Sequence, residues 1–432
     1  MIRFANTYIL IKLCILETLQ QINKSLPHYQ RKKMNPEQKH ALDDVLNGYS
    51  VFITGGAGVG KSYLVNKIVH ATSRKNVGVC AMTGCAALLI NGSTIHSYLA
   101  IGLARESAKD LAKRVRSFTN VFQRLLKLDI LLIDEVSMLN DELFEKISEF
   151  LQVLRRNTEP FGGVQMIFVG DPFQLAPVDG DYFFTSKLWT KDIKVHTLTA
   201  NMRQQGDDAF KGLLDRVRWG VCDERDLETL QKCRGTTFPS GIVPTRLYAK
   251  NINVDSINKR EFAKLETDTY EYETWHLNEG SKKWATANKI PEKVHMRIGA
   301  QVMCTRNIPT LGVVNGSRGV ITDVRQDAVT IRLLDGGFVR MGIVTVSPFD
   351  NPYIEVRYMP LKLAWAITIH SSQGMTIDAL EVDLGPDIFT YGQAYTGLSR
   401  ARSLATVRVT DVVAKSFLTS STVKKFFNVC VQ

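Results

Sequence analysis

The sequence predicts an α/β fold built on parallel sheet covered on both faces, and three observations lead there. Short apolar runs rich in β-branched residues alternate with helix-period stretches. Two of these runs end at acidic residues, one before Asp134-Glu135 and one before Gly170-Asp171. A glycine-rich loop joins the first run to the first helical pattern, and open parallel sheets bind ligands at the carboxyl ends of their strands.

Taken in order, residues 50–54 (Ser-Val-Phe-Ile-Thr) form the first strand candidate, followed by the glycines and a helix pattern over 61–70. Residues 77–81, 128–133 and 164–169 supply three more strand candidates. Residues 320–347 read differently, as short strands around an Asp335-Gly336-Gly337 turn. This β unit looks inserted, because the α/β pattern resumes at Leu361 and continues to about Val412. No internal repeat or low-complexity tract interrupts the chain.

The 432 residues suffice for two to four domains, at roughly 100–200 residues each. Apolar residues at 44% and charged residues at 22% are ordinary for a globular protein. The net charge of +11 favours a polyanionic partner, nucleic acid before membrane surface. Much of that charge sits in residues 1–33, where six basic residues face the single acid Glu17. Their apolar run from Tyr8 to Leu16 is interrupted by Lys12 and is too short to span a bilayer. A mitochondrial transit peptide, a nuclear-type tag at Arg31-Lys32-Lys33 and an extension upstream of a start at Met34 all remain open. An intracellular location follows, in nucleus, mitochondrion or host nucleus. The seven cysteines are scattered and form no C-x-x-C pair, so they read as reduced thiols.

Gly55-Gly56-Ala57-Gly58-Val59-Gly60-Lys61-Ser62 fits G-x-x-x-x-G-K-[ST] in the strand-to-helix context that gives the motif its meaning. Backbone N–H groups of such a loop wrap phosphates, and the helix terminus adds positive potential. Lys61 is placed for the β/γ-phosphates and Ser62 for Mg²⁺; with Tyr63 these nine residues are the expected ATP contacts. Asp134 suits a Mg²⁺ carboxylate, and Glu135 the base that orients and deprotonates water. Asp171 and Gln174 stand where an amide could reach the γ-phosphate. Arg203 and Arg400, far along the chain, suit arginines delivered across a domain interface. A small-molecule kinase shares the loop, so the loop alone leaves the reaction open.

In this order the segments look like a superfamily-one DNA helicase and, more narrowly, resemble the Pif family, relatives of RecD and the phage Dda helicase. The matching stretches run from Asn35 to about Leu404. Asn35-Pro36-Glu37-Gln38 resembles the adenine-reading motif, which implies that Gln38 bonds the base. Asp134-Glu135-Val136-Ser137-Met138 resembles the family's acidic box, and Gly170-Asp171-Pro172-Phe173-Gln174 its γ-phosphate sensor. Arg203 and Arg400 fall where the family keeps two arginine fingers. Pro160-Phe161-Gly162-Gly163-Val164-Gln165 resembles the Pif signature stretch. The resemblance also implies nucleic-acid contacts at Thr83, Gly84, Thr94, His96, Thr368, His370, Ser372 and Gln373. By itself each histidine is more often a core residue; Trp365 reads as core, and Tyr98 as either core or base contact. Gly312-Val313-Val314-Asn315-Gly316 resembles the turn into an SH3-like insertion. Three positions depart from the family pattern: Met82 and Ala176 stand for prolines, and Ser371 for a lysine able to pair with a DNA phosphate.

The resemblance therefore implies two RecA-like P-loop NTPase motor domains using ATP and Mg²⁺. The first is expected over 34–195 with a strand-separating insertion near 99–126, and the second over 196–432 with the SH3-like insertion near 318–358. The implied activity is a DNA-dependent ATPase and 5′→3′ helicase in replication, repair or recombination, acting as a monomer on single-stranded DNA and forked duplex, with a single-strand-binding or replication partner and no membrane. A translocase that unwinds poorly and an ATP-gated single-strand-binding module are the alternatives.

Overall fold

The apolar run after Ser50 becomes a fully buried strand, β1 (Val51–Gly55), in the interior of a six-stranded parallel sheet. The computed structural model describes residues 34–430, except 91, 191, 201–205, 239–242, 288–289, 307, 314–316, 334–335, 348–352 and 378. The basic stretch 1–33, Arg203, Asn315, Gly316 and Asp335 lie outside the described residues.

The chain divides into two compact units, Met1–His40 and Ala41–Gln432. In the first, Asn35 and Gln38 make a reciprocal capping box at the start of the helix Pro36–Leu46. Gln38 N–H donates to Asn35 Oδ1 at 2.8 Å, and Asn35 N–H to Gln38 Oε1 at 3.2 Å. Proline at the first helical position removes a donor that the helix could not satisfy.

In the second unit the sheet contains β2 (Val77–Ala81), β3 (Ser93–Thr94), β4 (Ile130–Asp134), β5 (Gln165–Gly170) and β6 (Lys194–Leu198). Their order is β3-β2-β4-β5-β1-β6. Every pairing is parallel. The four strand candidates fall on β1, β2, β4 and β5. The fifth long strand, β6, crosses the expected boundary at 195/196 and pairs with β1 through Leu198. Its short Lys-Val-His-Thr-Leu run lacks the continuous apolar character that marked the others. Residues 99–126 fold into two helices, Ala108–Arg116 and Thr119–Leu126. The first buries Ala108, Leu111, Ala112 and Val115 at helical spacing and leaves Lys109, Lys113 and Arg116 outside.

A second parallel sheet comprises Ala366–Thr368, Thr245–Tyr248, Leu380–Leu384 and Val407–Val412, in that spatial order. The inserted β unit is a five-stranded antiparallel sheet. Its strands Arg318–Val324, Ala328–Leu333 and Phe338–Gly342 arise where the alternation predicted them. Gln301–Cys304 and Leu361–Leu363 complete it, so the α/β pattern resumes at Ala366 rather than Leu361. Trp365 is 7% exposed in that sheet's core, among Val302, Ile321 and Leu361.

The last helix, Ser421–Cys430, lies at the end of the span expected as the second motor. It returns to the first sheet. Phe426 stacks on Phe184 at 4.1 Å and lies 6.3 Å from Phe52, while Phe427 lies 4.9 Å from Phe173. Burial of a phenylalanine stabilises by about 1.5–3 kcal/mol, enough to hold a ten-residue helix whose own propensity is weak. Cys80, Cys233 and Cys304 are buried free thiols. No helix among the described residues is long and apolar enough to cross a membrane.

Candidate active site

The phosphate loop follows β1, and Gly60 is the N-cap of the helix Lys61–Ala71 in a left-handed conformation (φ 87°) that suits glycine. Lys61 folds back over the loop, its Nζ donating to Gly55 O at 2.8 Å and Gly56 O at 2.9 Å. Burial lowers its pKa, while the carboxylates of Asp171, Glu135 and Asp134 oppose that effect. The amine thus lies over the loop beside three acidic side chains, where a phosphate contact requires it. Ser62 is exposed at the first turn, and Tyr63 is half-buried behind it.

Asp134 ends β4 and accepts the Glu135 N–H at 2.8 Å. Burial, then the neighbouring Glu135 charge, pushes the Asp134 carboxyl up to about 7. Glu135 itself adopts a left-handed φ of 54°, unusual for a non-glycine residue. Two adjacent acidic side chains at a strand end are chemically matched to a divalent cation, and Mg²⁺ takes one or two carboxylates plus phosphate oxygens. Within the first unit, Gln38 Nε2 is a buried donor with no hydrogen-bond partner among the described residues. In the second unit, the phosphate loop and the carboxyl pair fit the phosphates of ATP with Mg²⁺.

Three groups from beyond β6 reach this end of the first sheet. Arg400 is 2% exposed and donates from Nη2 to Gln174 Oε1 at 3.3 Å and to Ser399 Oγ at 2.8 Å. Burial lowers its pKa, and the Glu135 charge acts against that. Gln373 Nε2 lies 3.2 Å from both Glu135 Oε2 and Ser137 Oγ. Tyr395 accepts the Ala57 N–H at 2.9 Å and donates to Asp171 Oδ2 at 3.1 Å. Gly392 explains how the backbones come so close: a Cβ there would stand 2.0 Å from Gln174 O.

The nucleic-acid candidates separate into two groups. Thr83 and Thr94 stand at the carboxyl ends of β2 and β3 and cap short helices. Thr83 Oγ1 accepts Ala86 N–H at 3.2 Å, and Thr94 Oγ1 accepts Ser97 N–H at 3.3 Å. Gly84 begins the helix Gly84–Leu89. His96 and His370 are half-buried, and burial lowers both pKa values. Phe389 lies nearly parallel to the His370 ring at 6.5 Å and is 59% exposed. Thr368 Oγ1 pairs with Ser371 Oγ at 2.9 Å. The two facing residues line a cavity of about 290 Å³ with Asn251, Asn258, Lys259 and Lys362. Ser372 and Gln373 form the other group. Both are buried, Ser372 donating to Ile369 O and Gln373 to the acidic box, so their polar atoms turn inward rather than to an open surface.

Sequence reasoning missed Tyr395 and Arg218 and left Asp171 undecided. Arg218 grips Asp171 through Nη2 at 2.8 Å and Nε at 3.1 Å. Burial would raise the Asp171 pKa, but the Arg218 charge and hydrogen bonds hold it below its ordinary value. Tyr395 sits five positions before Arg400, a local signal that could have drawn attention to it; Arg218 has none. Tyr98 packs its ring under Arg124, 4.3 Å from the guanidinium. The Pif-like signature stretch is a structural element: Phe161 is 4% exposed and meets Phe144 edge-on at 5.1 Å.

Two family profiles match: "PIF1-like helicase" over residues 33–227 and "DNA helicase Pif1, 2B domain" over 285–324. The ATP-dependent DNA helicase PIF1 of Danio rerio is 37% identical over 88% of this chain and 61% of its own length. The chain likewise spans about three fifths of the other vertebrate relatives it matches. The ATP-dependent DNA helicase Pif1 of Bdellovibrio bacteriovorus is 32% identical, covering 91% of this chain and 92% of that protein. The crystal structure of the Candida albicans Pif1 helicase superimposes with a TM-score of 0.83 at 32% identity, over 93% of this chain and 99% of that one. With the phosphate loop, acidic box and glutamine sensor on one RecA-like sheet, and a second sheet closing on them, the chain belongs to the PIF1-like helicase family.

Proposed function

We propose that this protein is an ATP-dependent DNA helicase that couples hydrolysis of Mg-ATP to movement along single-stranded DNA and unwinding of forked duplex. The observation that carries the proposal is the convergence of two parallel sheets on one cleft. One supplies Lys61, Asp134, Glu135 and Gln174, and the other side supplies Gln373 and Arg400. A cleft of this kind changes shape when a phosphate is bound or lost, and each half then moves as a body.

In this reading the first motor comprises the first sheet through Leu198, the second motor is built on the second sheet, and the antiparallel unit is the SH3-like insertion. The helices over 108–126 are the strand-separating element. Lys61 neutralises the β- and γ-phosphates, and the loop N–H groups hold them in place. Asp134 and Ser62 would hold Mg²⁺, which supplies charge neutralisation at the phosphates. Glu135 orients water and takes its proton. Gln174 and Arg400 sit together against the γ-phosphate position, with Arg203 as the second expected finger. Gln38 is the adenine-reading residue that the family resemblance implies.

Thr83, Gly84, Thr94 and His96 on one motor, and Thr368 and His370 on the other, hold the strand. They use hydroxyl and backbone groups on phosphates, with imidazoles against bases. Gln373 joins that second segment to Glu135. Neutral histidines suit stacking on bases, and the basic helix face at Lys109, Lys113 and Arg116 suits duplex phosphates. The 5′→3′ direction rests on the family resemblance.

The deciding measurement is ATP hydrolysis by the full chain with and without single-stranded DNA, beside Lys61→Ala. Strong stimulation by DNA, abolished in Lys61→Ala, is expected, followed by unwinding of 5′-tailed but not 3′-tailed duplex. Glu135→Gln should bind ATP and DNA tightly without turnover. Hydrolysis indifferent to DNA would overturn the motor reading, and ATP-sensitive DNA binding without hydrolysis would replace it with a gated binding module.

A further inference from the structure

Tyr395, Asp171 and Arg218 form a buried chain of hydrogen bonds that ends on the phosphate loop. Asp171 is fully buried, Tyr395 is 3% exposed and Ala57 is 7% exposed. The Arg218 guanidinium engages both Asp171 oxygens, and its central carbon lies over the Phe173 ring, 4.1 Å from the ring centre. Such a fork fixes a carboxylate in both position and orientation.

Donor and acceptor accounting gives the chain one direction. An ionised carboxylate only accepts, so Tyr395 gives its single proton to Asp171. Its oxygen is then an acceptor, and the Ala57 N–H fills that role. Burial and the Asp171 charge push the Tyr395 phenol well up, so it keeps its proton. Arg218 holds Asp171 low, so it stays an acceptor. Ala57 is the third residue of the eight-residue phosphate loop. Its N–H direction is thus set from the far side of the cleft, by a side chain on the same short helix that precedes Arg400. That helix also brings Gly392 against the Gln174 carbonyl, so loop, sensor and finger are located by one element.

We propose that Tyr395 is a positioning residue for ATP hydrolysis, its hydroxyl, aimed by Asp171 and Arg218, locking the phosphate loop through the Ala57 N–H as the second motor closes. The inference rests on the nucleotide-hydrolysis reading above. It ties loop geometry to closure: the bond is present together with the Arg400–Gln174 contact, so it would favour the closed, phosphoryl-transfer geometry over an open one.

The test is Tyr395→Phe in the full chain, which keeps the ring and removes only the hydroxyl. Affinity for ADP with aluminium fluoride, a mimic of the transferring phosphoryl, should fall about tenfold, as expected for one lost buried hydrogen bond. Affinity for ADP alone should change less than about twofold. Hydrogen exchange at the Ala57 amide should quicken in the fluoroaluminate complex, and kcat should fall while KM for ATP holds. Arg218→Lys, which keeps the charge but loses the fork, should shift the same quantities in the same direction by less. Undiminished fluoroaluminate binding in Tyr395→Phe would overturn the proposal. So would an equal loss for ADP and its fluoroaluminate complex, since that marks simple support of the loop. If the unsubstituted chain bound no adenine nucleotide, the hydrolysis reading itself would fall, and the fault would lie in the parent rather than the variant.

Discussion

Gln373 places its side-chain amide 3.2 Å from the carboxylate of Glu135, across the cleft from its own sheet. The two residues come from segments with different expected tasks, one gripping a nucleic-acid strand and the other activating water. Gln373 is 1% exposed and also bonds Ser137, while Thr368 and His370 precede it in the same segment. In the proposed reading, a strand held by that segment would act on Glu135 through this one side chain.

Removing the amide should break this path. In Gln373→Ala, DNA-stimulated ATP turnover is expected to fall about tenfold, the equivalent of one buried hydrogen bond to a charged group. Single-strand affinity should stay near that of the parent, because the side chain faces inward. Steady-state hydrolysis and fluorescence anisotropy, compared at one salt concentration, check this. A variant that lost strand affinity and kept its stimulation would reassign Gln373 to the DNA.

The C-terminal helix belongs to the first sheet's core, and its removal from that core should be costly. Phe427→Ala deletes a ring that is 3% exposed and packed on Phe173. A loss of about 3–5 kcal/mol is expected for such a truncation. Denaturant unfolding followed by tryptophan fluorescence reads it, since Trp219 lies 4.7 Å from Phe173. A loss below about 1 kcal/mol would mean that the helix packs without stabilising the core.

How much of this was legible in the sequence depends on the range of the interaction. The phosphate loop, the acidic box and four strands of the first sheet are written in consecutive residues, where apolar runs and glycines carry their own physical signal. The capping box at Asn35 and Gln38 is equally local. The Tyr395–Asp171–Arg218 chain joins three distant segments, and no spacing rule connects them. The return of the C-terminal helix was hidden for the same reason. Phe426 and Phe427 suit any apolar face, and only tertiary packing decides that they meet Phe184 and Phe173. Gln373 was legible as a member of a segment but not in its direction, because the turn over His370–Ser372 decides which way it points.

The second sheet carries a pH-sensitive ion-pair cluster. Hydrogen bonding from Lys264, then from Arg246, holds Glu261 down to about 2, and Arg246 also pairs with Glu381 at 2.8 Å. A depressed carboxyl stabilises the fold above its ordinary value and loses that contribution as pH falls through 4.5 towards 2. With Lys264 62% exposed, solvent screening limits the contribution to about 1–2 kcal/mol. Glu261→Gln should therefore be less stable than the parent at pH 7 by that amount. The gap should narrow on acidification below pH 4.5, as urea midpoints at several pH values would show. A gap that widened in acid would reverse the sign of the argument.

Ser371 offers the sharpest test of how this chain holds a strand. Its hydroxyl pairs with Thr368 at 2.9 Å and faces a cavity that Lys259 and Lys362 also line. The family resemblance puts a lysine at this position. Ser371→Lys would bring a third ammonium to the cavity at the cost of the hydroxyl pair. If the cavity faces a strand phosphate, single-strand binding should tighten at low salt. The slope of log affinity against log salt should steepen by about 0.7, the value for one added phosphate contact on a single strand. Equilibrium titrations between roughly 50 and 200 mM salt resolve a change of that size. An unchanged slope with unchanged affinity would place the strand away from Ser371. A weakened affinity would show that the Thr368–Ser371 pair shapes the contact, and that lysine crowding in the cavity outweighs the added charge.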